Sequence, residues 1–343
     1  KIALDLCKFT QMATDLHTDK PLILVTGALG FIGSCLALEL LRSGKYRVVI
    51  CDDLNATQKF PNIADAAFEL SIDRKALIAL LQTGGLPDLK GVLHIGARTD
   101  TTEFNKTIFD ELNYGYSQAM WQICTERKIP LVYASSAATY GDGAFGYSDD
   151  HAVIEKLVPL NPYGDSKNDF DKWVLTQKDT PPHWYGLKFF NVYGPNEYHK
   201  SRMASVIFHA YHQFKNTGKV KLFRSHKAEY KDGEQIRDFI YVKDVIRVIE
   251  WLIENHPESG IYNLGTGKAR SFYDLAAATA KAMDMPLVID WIDIPEDIRE
   301  KYQYFTEADM QKLLSAGYNN TFYNLEEGIA DYVKSYLIQA RHY

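Results

Sequence analysis

From Pro21 onward, short apolar runs alternate with longer stretches whose apolar residues recur at spacings of three and four. The runs at residues 22–26, 47–51, 91–95, 131–134 and 186–190 predict buried strands, and the stretches at 31–42, 74–81, 107–127 and 162–177 predict amphipathic helices. Strand and helix in alternation imply a parallel sheet covered on both faces. The regularity fades after Asn191, where tyrosines, histidines and loop residues become frequent, although residues 244–254, 272–283, 307–316 and 325–337 again carry helical spacing. The pattern predicts an α/β chain. Residues 21–191 and 238–263 form a doubly wound parallel sheet, and residues 192–237 and 264–343 a smaller, interleaved C-terminal α/β substrate domain. Ahead of both, Ile2, Leu6, Phe9, Ala13 and Leu16 predict a short amphipathic helix within residues 1–20, of unassigned role.

A chain of 343 residues suits about two domains and buries a core without disulfides. The 38 Lys and Arg against 44 Asp and Glu give a net charge of −6 with no long run of one sign, so a nucleic-acid partner is not expected. Cys7, Cys35, Cys51 and Cys124 are scattered, with no paired spacing for a metal, which predicts a reducing compartment. No apolar stretch is long enough to cross a bilayer, and the first twenty residues lack a signal core, so the expectation is a cytoplasmic protein with a small-molecule partner.

The first run ends in Thr26-Gly27-Ala28-Leu29-Gly30-Phe31-Ile32-Gly33, followed at once by helical spacing. Gly27 permits a tight turn, Gly30 lets backbone approach a pyrophosphate, and Gly33 lets helix and strand pack closely. Three glycines alone make a weak signal. Here a strand precedes them, a helix follows, and Asp52 closes the next strand roughly 20 residues on, which together predict a Rossmann-type dinucleotide site. Asp52 at a ribose hydroxyl favours NAD, whereas Lys59 and Arg74 could neutralise the 2′-phosphate of NADP, so the physics leaves the choice open.

Further on, Tyr133-Ala134-Ser135-Ser136-Ala137-Ala138-Thr139-Tyr140-Gly141 closes a strand, and Pro162-Tyr163-Gly164-Asp165-Ser166-Lys167 opens a helix. Tyr163 and Lys167 share a helix face four residues apart. A phenol titrates near pH 10, and lowering it by about 3 units takes roughly 4 kcal/mol of preferential stabilisation. Positive charge from Lys167 and an oxidised nicotinamide would supply it, with Ser136 orienting the hydroxyl. A tyrosine and a lysine at a helix start are commonplace, but after the glycine turn and a serine-rich strand end they predict a redox site.

These motifs resemble the extended short-chain dehydrogenase/reductases over nearly everything from Pro21 onward. The likeness includes Arg237-Asp238-Phe239-Ile240-Tyr241-Val242-Lys243-Asp244-Val245 and Tyr262-Asn263-Leu264-Gly265-Thr266-Gly267. The run Phe190-Asn191-Val192-Tyr193-Gly194-Pro195-Asn196-Glu197-Tyr198-His199-Lys200, then Met203-Ala204-Ser205-Val206, Tyr302-Gln303 and Phe305-Thr306, is similar more narrowly to the ADP-L-glycero-D-manno-heptose 6-epimerases. That resemblance implies transient oxidation of a nucleotide-diphosphate sugar at carbon 6 by bound NADP and re-reduction on the opposite face, for lipopolysaccharide core heptose. Ser136, Tyr163 and Lys167 would serve one face, and Lys200 would be the second acid/base, given a lowered pKa by burial or by the Lys167 and nicotinamide charges. Cofactor contacts would include Gly27, Gly30, Phe31, Ile32, Gly33, Asp52, Asp53, Lys59, Arg74, Ile95, Gly96, Ala97, Asn113, Tyr163, Lys167, Val192 and Lys200. Substrate contacts would include Asn191, Arg202, His209, Phe223, Arg237 and Tyr302, with Arg237 suited to a diphosphate. The resemblance also implies NADP over NAD and a homo-oligomer.

The chain departs from that pattern at Ala28-Leu29 in the turn, at Arg202, in a longer insert over residues 142–160, and in the segment before Pro21. A nucleotide-sugar dehydratase would need an extra acid/base pair where Ala137-Ala138 stand. A UDP-hexose 4-epimerase shares the serine, tyrosine and lysine but has no need of Lys200. A noncatalytic NADP-binding sensor has no use for Ser136, Tyr163 and Lys167 together.

Overall fold

The computed structural model describes residues 19–299 and 302–343, so the helix expected over residues 2–16 lies outside the described residues. In chain order the strands are β1 Leu22–Thr26, β2 Arg47–Asp52, β3 Leu70–Asp73, β4 Leu89–His94, β5 Leu131–Ser136, β6 Trp184–Phe189, β7 Asn191–Tyr193, β8 Val220–Phe223, β9 Ile236–Arg237, β10 Phe239–Tyr241, β11 Gly260–Leu264, β12 Arg270–Ser271 and β13 Ile289–Ile292. The longer helices are α1 Phe31–Ser43, α2 Arg74–Gln82, α3 Tyr116–Glu126, α4 Pro162–Thr176, α5 Val206–Thr217, α6 Val242–Asn255, α7 Phe272–Ala282 and α8 Leu325–Asp331.

Seven strands make one parallel sheet in the order β11-β6-β5-β4-β1-β2-β3. All five residues of β1 and all six of β6 are buried, as continuous apolar runs in a two-sided parallel sheet require. The chain leaves β1 first toward β2 and β3, then returns to β4 on its other side. At that reversal the loops after β1 and β4 part, and a crevice opens at the carboxyl ends of the strands. The remaining strands pair two by two, β7 with β10 and β8 with β13 in parallel, β9 with β12 antiparallel.

Local chemistry sets the helix ends. The Asn161 side chain caps α4 by accepting from Gly164 N at 2.9 Å, with Pro162 in the first turn. Reciprocal capping boxes start α7 at Ser271 with Asp274, and α8 at Asn324 with Glu327. The structure differs from the pattern where the pattern is thin. β3 buries only Ile72 fully, too little for an apolar run, and was not predicted. The helix expected over 107–127 is a helical turn Lys106–Phe109, a π-helical turn Asp110–Gly115 and then α3, because one wider turn carries Asn113 into the interior. The stretch 307–316 is helical only over Gln311–Ser315, and 325–337 becomes α8 followed by a π-helical turn Tyr332–Leu337. Cys35, Cys51 and Cys124 are free and buried, and among the described residues no helix is long and apolar enough to cross a membrane.

Two glycines, Gly33 in the first turn of α1 and Gly44 just past its end, separate steric from conformational need. A Cβ on Gly33 would lie 2.2 Å from Gly27 O, a backbone atom that cannot yield, whereas Gly44 has φ +65° with nothing within 4 Å. Gly44→Ala should therefore cost about 1 kcal/mol, and Gly33→Ala at least twice that, of order 2–4 kcal/mol. Thermal unfolding of both variants checks the order; equal shifts would contradict it.

Candidate functional site

The glycine turn after β1 packs on the loop after β4. Gly27 has φ +67°, and a Cβ there would come within 2.5 Å of Gly96 Cα. Gly30 N donates to Gly27 O at 3.0 Å, and α1 starts at Gly30 without a side-chain cap, so its first amides stay open to the crevice. The result is a cleft of ≈ 440 Å³ lined by Gly27, Gly30, Phe31, Ile32 and Gly33 from the turn, by Ile95, Gly96 and Ala97 from the loop after β4, and by Lys200 from the far side. Backbone donors at a helix start and glycines at the closest point of approach suit the pyrophosphate of a dinucleotide.

Asp52, Asp53, Lys59 and Arg74 line the same cleft, but Asp52 is less free than the sequence suggested. Its carboxylate accepts from Leu29 N at 2.9 Å and from Asp53 N at 2.7 Å, and Lys59 Nζ lies 3.2 Å away. Asp52 therefore fixes the glycine turn and tethers a cation. Arg74 stands 3.5 Å from Asp53, whose carboxyl is held below its usual range by the Asn55 amide, with help from Arg74. Both cations thus sit at the rim of the cleft, held by carboxylates. Among the described residues no three His, Cys, Asp or Glu side chains gather as a metal site.

Ser136 ends β5, and Tyr163 and Lys167 lie one turn apart at the start of α4. Burial pushes the Tyr163 phenol up, and the neighbouring Ser136 hydroxyl works the other way. Burial dominates at the phenol, and the Lys167 ammonium donates to Ala134 O at 2.7 Å. Burial pushes Lys167 down to about 8. Asn113 also departs from expectation. Its Nδ2 donates to Arg98 O and Ser166 Oγ, and its Oδ1 accepts from Arg98 N, so it ties the loop after β4 to α4. Neither Asn113, Tyr163, Lys167 nor Val192 lines the cleft; Val192 pairs with Ile240 between β7 and β10.

Lys200 belongs to a tight turn, Tyr198–Met203, bracketed by the positive φ angles of Asn196 (71°) and Ser201 (47°). Non-glycine residues hold such angles only where surroundings over-determine them. Asn196 is fixed through Nδ2 to Ser34 Oγ at 2.8 Å and to Asn62 O at 3.2 Å, which locks the turn to α1 and the segment before β3. The Lys200 ammonium lies 5.6 Å from the Phe31 ring centre. Burial lowers its pKa; Glu197 opposes this and Lys59, rather than Lys167, is the cation that assists. Glu197 itself is buried and pushed up to about 7 by desolvation, against hydrogen bonds from Ser205 and Tyr332.

The substrate candidates fall into two groups. Arg237 is 9% exposed, its guanidinium 5.5 Å from the Tyr302 ring centre and 5.7 Å from that of Phe272. Phe223 stands edge-on to Tyr302 at 5.7 Å. Arg237 donates to Ile236 O and Gln303 O and has no carboxylate partner among the described residues. Asn191 is exposed at the start of β7 and donates to Asp238 O. Arg202 and His209 form the second group: His209 Nε2 lies 3.4 Å from Arg202 O, and the Arg202 guanidinium reaches Thr102 and, at 3.5 Å, Asp100.

Sequence reasoning missed Asn62, Glu197 and Asp238. Asp238 is buried beside Arg237 and accepts from Thr266 N, Thr266 Oγ1, Gly267 N and Ala308 N, which folds the Leu264-Gly265-Thr266-Gly267 loop around one carboxylate. A Cβ on Gly265 would meet Asp238 Oδ2 at 2.6 Å, so the glycine and the aspartate form one signal.

Comparison with known proteins agrees with this geometry. The NAD dependent epimerase/dehydratase family matches residues 23–265. A Fusobacterium nucleatum protein named ADP-L-glycero-D-manno-heptose-6-epimerase is 46% identical, covering 94% of this chain and 100% of its own. A Nitratidesulfovibrio vulgaris protein of the same name is 45% identical, covering 92% and 98%. The crystal structure of the Helicobacter pylori ADP-L-glycero-D-manno-heptose-6-epimerase is similar with a TM-score of 0.75 at 27% identity, covering 93% of this chain and 98% of that one. With a nicotinamide-type cleft and relatives of this identity across nearly its whole length, the chain belongs to the NAD dependent epimerase/dehydratase family, among its ADP-L-glycero-D-manno-heptose-6-epimerases.

Proposed function

We propose that the chain inverts carbon 6 of ADP-D-glycero-D-manno-heptose to give the L-glycero epimer, with NADP held in the cleft beside the glycine turn. Lys200 carries this reading. It is an ammonium drawn out of water against Phe31, in the wall of the cofactor cleft, and it comes from a different element than Tyr163. Inversion at a carbinol carbon needs proton transfer to and from its hydroxyl in two orientations, and two acid/base groups from separate elements meet that need. A UDP-hexose 4-epimerase would leave Lys200 without a task. The nicotinamide, when bound, supplies the two-electron acceptor and donor.

In this reading Tyr163, held by Ser136, exchanges the hydroxyl proton of one epimer and Lys200 that of the other, while Lys167 holds the ribose. Lys59 and Arg74 grip the 2′-phosphate at the rim, and Asp52 serves by presenting Lys59. Arg237, a buried guanidinium between two rings with only carbonyl partners among the described residues, grips the substrate diphosphate. Phe223 and Tyr302 wall that grip, and Asn191, Arg202 and His209 line the approach. Residues 21–191 and 238–263 act as the cofactor domain, and residues 192–237 and 264–343 as the substrate domain. The enzyme works as a homo-oligomer in the cytoplasm.

Incubation with ADP-D-glycero-D-manno-heptose, followed by proton NMR at carbon 6, should show the L-glycero epimer appearing without added reductant, and UDP-glucose should remain unchanged. Inversion of UDP-glucose at carbon 4 instead would overturn the substrate assignment.

Tyr163→Phe and Lys200→Met should each lower kcat by about 10²- to 10⁴-fold, the usual worth of a proton-transfer partner, with NADP still bound. A rise in KM alone for Lys200→Met would return Lys200 to a binding role.

Calorimetric titration of cofactor-free protein should show tighter binding of NADP than NAD. Lys59→Ala and Arg74→Ala should each shrink the preference by about tenfold, the loss of one charge-assisted contact. Equal affinities, or an unchanged preference in both variants, would contradict the assignment.

A further inference from the structure

Behind the catalytic pair lies an ion pair with no solvent access. Lys188 on β6 and Asp171 on α4 are both 0% exposed, with Nζ and Oδ2 2.7 Å apart. Asp171 also accepts from Ser135 Oγ at 2.6 Å and Tyr133 OH at 3.0 Å, two residues that point to one face of β5. Lys188 donates to Thr139 Oγ1 at 2.7 Å, and Thr139 Oγ1 donates to Ser136 O at 2.8 Å. Every hydrogen bond of the pair therefore ends on the strand and turn that carry Ser136.

The pair has a third member. Tyr163, Lys167 and Asp171 follow at intervals of four along α4, on one helix face. Lys167 is 6% exposed and donates to Ala134 O, the residue between Tyr133 and Ser135. Two buried ammonium groups thus stand near one buried carboxylate: Lys188 pairs with it directly, and Lys167 lies one helical turn from it on the same face. A purely structural pair would need only Lys188 and Asp171, and replacing such pairs with apolar residues is often neutral or stabilising.

We propose that Asp171 is the shared counter-ion of Lys167 and Lys188, and that it acts through Lys167 as a positioning residue of the redox site. The inference rests on the reading of Tyr163 and Lys167 as the redox pair. Asp171 keeps Lys167 charged, so that the ammonium can hold ribose and face the phenol at working pH. Burial draws Lys167 downward, and Asp171 opposes that shift. Among the described residues, the other titratable groups facing Lys167 leave it no alternative anion. Tyr163 and Tyr133 are phenols pushed up by burial, and His94 on β4 is kept neutral, pushed down to about 3 by burial and by Lys167 itself.

The test compares pH profiles of kcat for NADP-loaded parent, Asp171→Asn, Asp171→Glu and Lys188→Met. Loss of the Lys167 charge sets the basic limb. Asp171→Asn should move that limb down by about one unit or more, a tenfold or greater loss of kcat at pH values above it. Asp171→Glu should restore it, and Lys188→Met, which leaves the carboxylate to Lys167 alone, should hold the limb at or above the parent's. NMR of ¹³Cε-labelled lysines without substrate, with Lys167→Met for assignment, should show the same shifts at Lys167 itself. Uniform losses at every pH, an unmoved Lys167 titration, or a downward limb in Lys188→Met would overturn the proposal. Should Asp171→Asn fail to fold, the direction of the Lys188→Met limb decides alone. Tyr163→Phe in the same series reports on the underlying reading separately: if that variant keeps its activity, the redox pair is misassigned, whatever the limbs do.

Discussion

The contact of Gly27 with Gly96 is the constraint on which the site depends. The β1 and β4 loops diverge at the sheet reversal, yet their backbones meet where a single Cβ would stand 2.5 Å from a backbone atom. Because they meet, the turn cannot rise into the crevice, and α1 begins directly beneath it with its first amides unclaimed. Gly33 repeats the device on the other side of the turn, against Gly27 O. Asp52 then pins Leu29 from below. A side chain at Gly27 or Gly33 would separate strand, helix and loop together, since an interior packed at crystal-like density has nowhere to shift.

Around that backbone cradle the charged groups are poised by desolvation more than by direct pairing. Lys167, Lys200 and Arg237 are all drawn down by burial, and Glu197 and Tyr163 are pushed up by it. The shifts of Lys167, Lys200 and Glu197 bring those groups nearer to neutral pH, and desolvation strengthens the pull of Arg237 on an anion in a medium of low dielectric, whereas the Tyr163 phenol moves further from neutral. What keeps such groups from being a liability is hydrogen bonding to backbone: Ala134 O for Lys167, Ile236 O and Gln303 O for Arg237, Ser205 N for Glu197.

The sequence was most legible where a backbone requirement leaves few residue choices. The glycine turn, the central strands and the helices starting at Phe31 and Pro162 could be read because apolar periodicity and glycine placement follow from local geometry. The division of labour among buried polar groups could not. Asp171 stands on the face of Tyr163 and Lys167, and that spacing was available, but a carboxylate in a helix usually faces water and only the burial of Lys188 beside it shows otherwise. Asn113 looked like a ligand contact, and its hydrogen bonds run instead to Arg98 and Ser166. Asp52 read as a ribose anchor, and the amide of Leu29 takes one of its oxygens. Lys200 was legible through the resemblance, whereas its bracketing by two positive φ angles has no signature in composition.

The strand order carries a consequence for how the chain reaches this state as it leaves the ribosome. β11, the outermost strand on one side, comes from residues 260–264, while its neighbour β6 ends at Phe189. About seventy residues of later-folding chain must be synthesised before that partner arrives, which at ordinary elongation rates of ~5–20 residues per second is an interval of several seconds. For that time β6, a strand with no residue left exposed in the finished fold, is an unprotected apolar edge. The nascent protein is therefore most prone to mispairing after the glycine turn and the first six strands of its sheet are made and before the seventh arrives. The vulnerable moment in its making falls in the synthesis of the segment that carries Lys200 and Arg237.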